Sequence, residues 1–197
     1  MKILLHIFVV LATAVILVSC ATAPLDVNKL LDIKPDQKVY TSYNIWYENR
    51  DEILQINYHK GKILSFGTEV KILEATRASV VFQVVKTGET YKIILVRKIL
   101  VAKTEHYISL LFTVKNADEL ATGIKPEVLE KIKTGTVEKG MRKQEVILAY
   151  GYPPPHRTPS IIEDTWIYFD SATHKKRVMF SKKGLVLEIM RDEQEKK

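Results

Sequence analysis

The chain has 197 residues, 46% of them hydrophobic and 27% charged, with only 8 Gly and 7 Pro, a balance that excludes a disordered chain. Its net charge of +7 favours an acidic surface as partner, but Lys and Arg are spread out instead of clustering with aromatics, which argues against nucleic acid and for anionic lipid or an acidic protein, with a solvated basic surface that has no specific partner as the equal alternative. A single cysteine excludes an internal disulfide framework, so apolar burial must hold the core.

Residues 1–19 begin Met1-Lys2 and continue from Ile3 to Val18 with only His6 and Thr13 polar, the layout of an export signal. As a helix the run spans roughly 24 Å, short of the ~30 Å hydrocarbon core, and no basic flank follows it, so a permanent span is the weaker reading. Leu17-Val18-Ser19-Cys20 resembles the bacterial lipobox, where a signal peptidase cuts before a cysteine whose thiolate has accepted a diacylglyceryl group. A plain signal peptide or a buried thiol is the alternative. The resemblance implies lipid attachment at Cys20, a lipoprotein outside the cytoplasm and, with Ala21 instead of Asp beside the cysteine, the periplasmic side of an outer membrane. Each buried methylene contributes about 0.8 kcal/mol, so two or three acyl chains (palmitate or similar) on one residue make a stable anchor.

Residues 20–38 read as a polar tether broken by Pro24 and Pro35, with a helical turn near Val27 to Leu31. From residue 39 the period becomes two: Val39, Thr41, Tyr43, Ile45 and Tyr47 alternate with Tyr40, Ser42, Asn44 and Trp46, and Glu48 to Asp51 supplies a turn. Further strands follow over 53–58, 68–73, 79–85 and 90–95, with turns at His59-Lys60-Gly61 and at Lys86 to Glu89. Short strands at this spacing suit a small closed or nearly closed antiparallel barrel, since closure removes exposed edges. The stretch GTEVKILEATRASVVFQVVKTGETYKIIL resembles SH3-like barrels, and a two-sheet sandwich competes with that description. EHYISLLFT, 105–113, reads as a helix packing Tyr107, Leu110 and Leu111, with another strand as the alternative. This first domain extends over 39–115, and Asn116 to Asp118 with Thr122-Gly123 mark its boundary.

The second domain, 124–192, opens with Pro126 at a first helical position, Ile124 and Leu129 as a staple, and a stripe of Val128, Leu129 and Ile132 ending at Gly135. A second helix covers 142–150, with Val146 one turn from Tyr150 and Gly151 at the stop, and Pro153 to Pro155 forbid its continuation. Three antiparallel strands, 165–170, 177–181 and 185–190, close the chain, and the two helices are the available cover for their sheet. The expected class is α+β: a small SH3-like antiparallel barrel, then a two-helix, three-stranded sheet domain.

KGMRKQEVILAYGYPPP, EDTWIYFD and RVMFSKKGLVLEI together resemble the BamE (SmpA/OmlA) family, small lipoproteins of the outer-membrane β-barrel assembly machinery. Gly140, Met141, Val146, Gly151, Pro153, Asp164, Trp166, Tyr168, Phe180 and Gly184 occupy that family's pattern in order, over about the last 70 residues. Two departures stand out. Arg142 replaces the usual hydroxyl helix cap, worth about 1 kcal/mol, so another group must cap that helix; and the barrel-like first half is foreign to the family.

No His-x-x-x-His or His-Glu-x-x-His pair and no phosphate loop is present, so His156 with Glu163, Asp164 and His174 is a poor metal or acid-base set, and Ser160 lacks a nucleophile-elbow context. His59 and His106 read as surface or half-buried histidines. No cofactor and no catalytic residue is expected. YGYPPPHRTPS, residues 150–160, offers instead a stiff extended segment whose Tyr152, Pro154, His156 and Arg157 form a candidate partner-binding ridge. The bland alternative is a rigid crossover with Tyr152 packed on Trp166. The expected function is a non-enzymatic, lipid-anchored scaffold for an envelope protein partner; the alternative is a cell-wall or peptide-binding module working through the SH3-like half.

Overall fold

A computed structural model describes residues 23–96 and 103–191, so the expected export signal and Cys20 lie outside the described residues. The chain is mixed α and β. Helix α1 (Val27–Leu30) precedes strands β1 (Val39–Thr41), β2 (Ile45–Tyr47), β3 (Ile53–Leu54), β4 (Lys62–Leu64), β5 (Glu69–Ala75), β6 (Ser79–Val84) and β7 (Thr90–Ile94). Helix α2 (Thr104–Leu111), β8 (Phe112–Thr113), α3 (Ala117–Leu120), α4 (Pro126–Lys133), α5 (Lys143–Tyr150), β9 (Thr165–Phe169), β10 (Lys175–Phe180) and β11 (Val186–Arg191) complete it. Among the described residues no helix is long and apolar enough to cross a membrane.

The first half is a curled six-stranded sheet in the order β3-β7-β6-β5-β1-β8, with β2 and β4 forming a separate two-stranded ribbon. Period-two alternation sends Val80, Phe82 and Val84 of β6 and Tyr91 and Ile93 of β7 inward, where Phe82 stacks on Tyr91 and meets Phe112 edge-on. One feature departs from the expected closed or nearly closed antiparallel barrel: in the curled sheet, whose ends are β3 and β8, β3 runs parallel to β7. The run 39–47, expected as one strand, also divides. Ser42 N–H donates to Leu111 O (3.0 Å), continuing the β1–β8 register, and Asn44 N–H then donates to Leu148 O (2.9 Å) in the second half. The chain thus divides into β1 in the main sheet and β2 in the ribbon.

The expected tether is docked from Leu25 onward. Leu25 N–H donates to Ala75 O at 2.7 Å, Asp26 caps α1, and Leu25, Val27, Leu30, Leu31 and Ile33 pack on the first core. An apolar residue every third or fourth position is what a polar linker lacks, and it makes this segment part of the body.

In the second half, Asn116 and Glu119 close a capping box on α3, and Pro126 starts α4 at a position whose N–H would be orphaned anyway. For α5 the missing hydroxyl cap is replaced twice: Arg142 N–H donates to the Glu145 carboxylate at 2.6 Å, and Lys143 N–H donates to Gly184 O at 3.1 Å from the β10–β11 turn. Strands β9, β10 and β11 form an antiparallel meander whose inner residues Trp166, Tyr168, Val178, Phe180 and Val186 share a core with Ile132, Val146 and Ala149 of the helices.

The two halves are not separate bodies, although sequence marks a boundary between them. Phe66, from the first half, belongs to the second core. Gly135 lies so close to Trp46 that a Cβ there would fall 2.1 Å from the indole, and its φ of +65° is a left-handed geometry suited to glycine.

Candidate functional site: a cleft at the joint between the halves

Asn44 is the lock of the joint. It is fully buried, its Nδ2 donates to Ile132 O (2.6 Å) and Ala149 O (3.4 Å), and its Oδ1 accepts from Phe66 N–H (3.0 Å). Asn57, with a φ of +57° that asparagine tolerates better than most residues, donates through Nδ2 to Asn44 O (3.1 Å) and Tyr150 O (2.9 Å) and accepts from Trp46 N–H (2.8 Å). Two primary amides thereby satisfy backbone groups of both halves. A buried carbonyl left without a donor costs about 1–3 kcal/mol, which is why amides sit here.

Beside this lock opens a cavity of about 200 Å³. One wall is α2, through His106, Tyr107 and Leu110. The second is the 55–57 loop after β3. The third is the segment from Tyr152 to Pro159 with Ile161, and Tyr43 lies at the base. Tyr43 and Tyr152 meet edge-on at 6.0 Å, and Tyr107 Oη donates to Gln55 O at 3.4 Å. Burial raises the Tyr43 phenol well above its ordinary range, with the neighbouring Tyr107 adding to it, and burial likewise raises Tyr107 and Tyr152. These hydroxyls therefore stay protonated. The described lining contains no carboxylate, amine or guanidinium; it is made of tyrosine and proline faces and the His106 imidazole, with amide and hydroxyl groups at its edge. Such a lining receives an apolar or aromatic group and offers hydrogen bonds to its polar end.

The residues expected to form a ridge are divided by the structure. Tyr152 lines the cleft and packs on Tyr43; it does not pack on Trp166. Pro154 is buried, contributes to the cleft wall, and its carbonyl accepts from both Arg157 N–H and Thr158 N–H (3.0 Å each). Within the segment expected to be extended, residues 155–157 thus form a turn closed on Pro154 O. His156 stacks on Phe169 at 6.0 Å, away from the cleft, and only Arg157 is exposed. Asp164 pairs with Lys182, and His174 contacts Ser171 and Thr173, so His156, Asp164 and His174 have separate neighbours. Among the described residues no group of three His, Cys, Asp or Glu could hold a metal ion.

Sequence reading missed the histidine at the back of the joint. His59, expected at or near the surface, is 8% exposed and sits among the rings of Tyr150 (4.2 Å), Tyr168 (5.2 Å) and Trp46 (5.5 Å). Its N–H donates to Phe169 O and its Nε2 donates to Tyr150 O, both at 3.0 Å, which leaves Nδ1 as a buried lone pair without a partner. Burial, with the nearby Lys176 ammonium, holds its pKa well below the ordinary histidine value, so the imidazole is neutral. Lys176 is itself buried, paired with Asp170 at 2.5 Å and placed 4.5 Å over the Tyr150 ring. The sole signal in the sequence is that Lys176 occupies the same face of its strand as Val178 and Phe180. His59 carries no local signal at all, because two of its three caging rings, Tyr150 and Tyr168, come from about 90 or more positions downstream.

No family model matches the chain, and no curated protein or solved structure matches it either.

Proposed function

We propose that this chain is a lipid-anchored, non-enzymatic envelope lipoprotein that serves as a scaffold or assembly factor on the periplasmic side of an outer membrane. In this reading acylated Cys20 holds the body at the bilayer, and the joint cleft receives an apolar or aromatic side chain from an envelope protein. The observation that carries the binding half of the reading is the cleft itself: preformed, walled by tyrosine and proline, and braced by two buried asparagines. A pocket that is already rigid costs little ordering entropy on binding, which suits docking. The lipobox-like Leu17-Val18-Ser19-Cys20 and the BamE-like order of Gly140, Met141, Gly151, Trp166 and Tyr168 support the location and partner class.

The test is photo-crosslinking from a benzophenone side chain introduced at Tyr152 in cells, followed by purification and mass spectrometry. Reproducible crosslinks to a component of outer-membrane protein assembly support the reading. Crosslinks confined to peptidoglycan, or co-sedimentation of the whole unlipidated chain with purified sacculi, would transfer the role to cell-wall binding. The whole chain is needed because Phe66, Asn44 and Trp46 are bonded or packed into the second half.

A further inference from the structure

The docked N-terminal segment fixes which end of the molecule meets the bilayer. Leu25 is hydrogen-bonded to Ala75 O beside the β5–β6 hairpin, and the apolar residues from Leu25 to Ile33 hold that contact through the first core. Cys20 is five residues earlier in the chain. Fully extended, five residues reach at most about 17 Å. We propose that the Thr76–Ser79 turn between β5 and β6 is a membrane-apposed surface whose partner is the phospholipid headgroup layer, an orientation that rests on the acylation of Cys20 proposed above.

The turn is suited to that position. Arg77 and Ala78 are exposed at its tip, while Thr76 is buried and fastens the bend, its Oγ1 accepting the N–H groups of Ala78 and Ser79 at 3.1 Å each and its own N–H donating to Ser79 O at 2.8 Å. The turn is thus held rigid beside Ala75, the residue to which Leu25 is bonded and from which the five-residue reach to Cys20 is counted. The same end carries one edge of the cleft: Leu95 N–H donates to Ala78 O at 2.8 Å, and the next residue, Val96, exchanges hydrogen bonds with the side chain of Gln55, which lines the cleft. A partner segment entering at that edge is therefore a membrane-proximal one. The competing surface is the exposed tip at Ile162, 82% exposed, next to the Lys182-Lys183 turn that Asp164 and Lys143 tie to it. That tip looks suited to lipid by composition, but nothing tethers it near the acyl chains.

Acylation of Cys20 leaves no other thiol in the chain, so Ala78→Cys and Lys183→Cys each give one labelling site in the mature lipoprotein. Each variant is labelled with a fluorophore, reconstituted in phosphatidylethanolamine/phosphatidylglycerol vesicles, and quenched with a headgroup nitroxide lipid, after mass spectrometry of the same sample has read the state of Cys20. With Cys20 acylated, quenching at position 78 is expected to exceed that at 183 several-fold, and a Gly/Ser insertion of about twenty residues between Ala23 and Pro24 should remove the difference. Equal quenching, or stronger quenching at 183, overturns the orientation and leaves the lipoprotein reading intact. An unmodified Cys20 thiol overturns both.

Discussion

Replacing Asn44 by Ala should separate the two halves energetically, because one side chain serves two backbone carbonyls of the second half and a backbone N–H of the first. The variant strands Phe66 N–H in a buried residue, takes one of two donors from Ile132 O, which keeps Gly135 N–H, and removes a longer bond to Ala149 O, which keeps Trp46 Nε1–H. The stranded N–H in a dry interior costs about 1–3 kcal/mol, and the lost bonds and small cavity add to this, so a loss of about 2–4 kcal/mol is expected. Against a total of about 5–15 kcal/mol for a domain of ordinary stability, that is a large share. Urea unfolding of the unlipidated chain, followed by tryptophan fluorescence and by circular dichroism, measures it. The parent should give one coincident transition by both probes, and the variant an earlier midpoint with the probes diverging as the halves uncouple. Asn44→Asp sharpens the test. The carboxylate keeps an acceptor for Phe66 N–H but faces the Ile132 and Ala149 carbonyls with no donor, so it should be worse than Ala at pH 7 and recover in part on acidification. A loss below about 1 kcal/mol for Asn44→Ala, with coincident transitions, would refute the idea that this amide locks the joint.

Acid should weaken the fold from about pH 6.5 downward. His59, and to a lesser degree His156, are held neutral by burial, so their folded pKa lies below the unfolded one. Their contribution is full above the unfolded value and is lost as pH falls through it, and thermal melts from pH 8 to 5 should show the decline, with His59→Gln flattening it. Glu145→Ala removes the carboxylate that caps α5 and should cost about 1–2 kcal/mol in urea unfolding, whereas Glu145→Gln, which keeps an acceptor, should retain most of that. Gly135→Ala drives a methyl into Trp46 at a positive φ and should cost about 2–4 kcal/mol, while Gly88→Ala, also at positive φ but with open space around it, should cost only the backbone part, about 1–2 kcal/mol. Equal losses at the two glycines would show that the Trp46 contact carries no strain.

Much of the second half could be read directly from the chain. Pro126, Gly135, Gly151 and the proline run delimit α4 and α5, and alternating Trp166/Tyr168 and Val178/Phe180 mark inward strand faces, because helix punctuation and strand period are local properties of a few neighbouring residues. The α2 helix at EHYISLLFT and the strands β5, β6 and β7 were legible for the same reason. The replacement cap on α5 was foreseen as a need but not as a particular group, since one of its two parts, Gly184 O, lies 41 residues away from Lys143 in sequence.

What the sequence by itself determined, then, is α4 and α5, the strands β5, β6, β7 and β9 to β11 with their order, and the placement of Tyr152 and Pro154 in a proline-braced segment after α5. Tertiary structure decided that the run 39–47 divides between two sheets, that β3 lies parallel to β7, that Leu25 to Ile33 is docked, and that Tyr43, Tyr107 and Tyr152 surround one cleft. It also decided that His59 is caged. Each of these depends on whether backbone groups such as Leu148 O, Ile132 O and Ala149 O find a donor from about 90 to 105 residues earlier in the chain, and no local pattern encodes that pairing: a buried polar group takes whichever partner the packed fold brings within 3 Å or so, because leaving it dry and unpaired costs more than the local preference of the segment that supplies the donor.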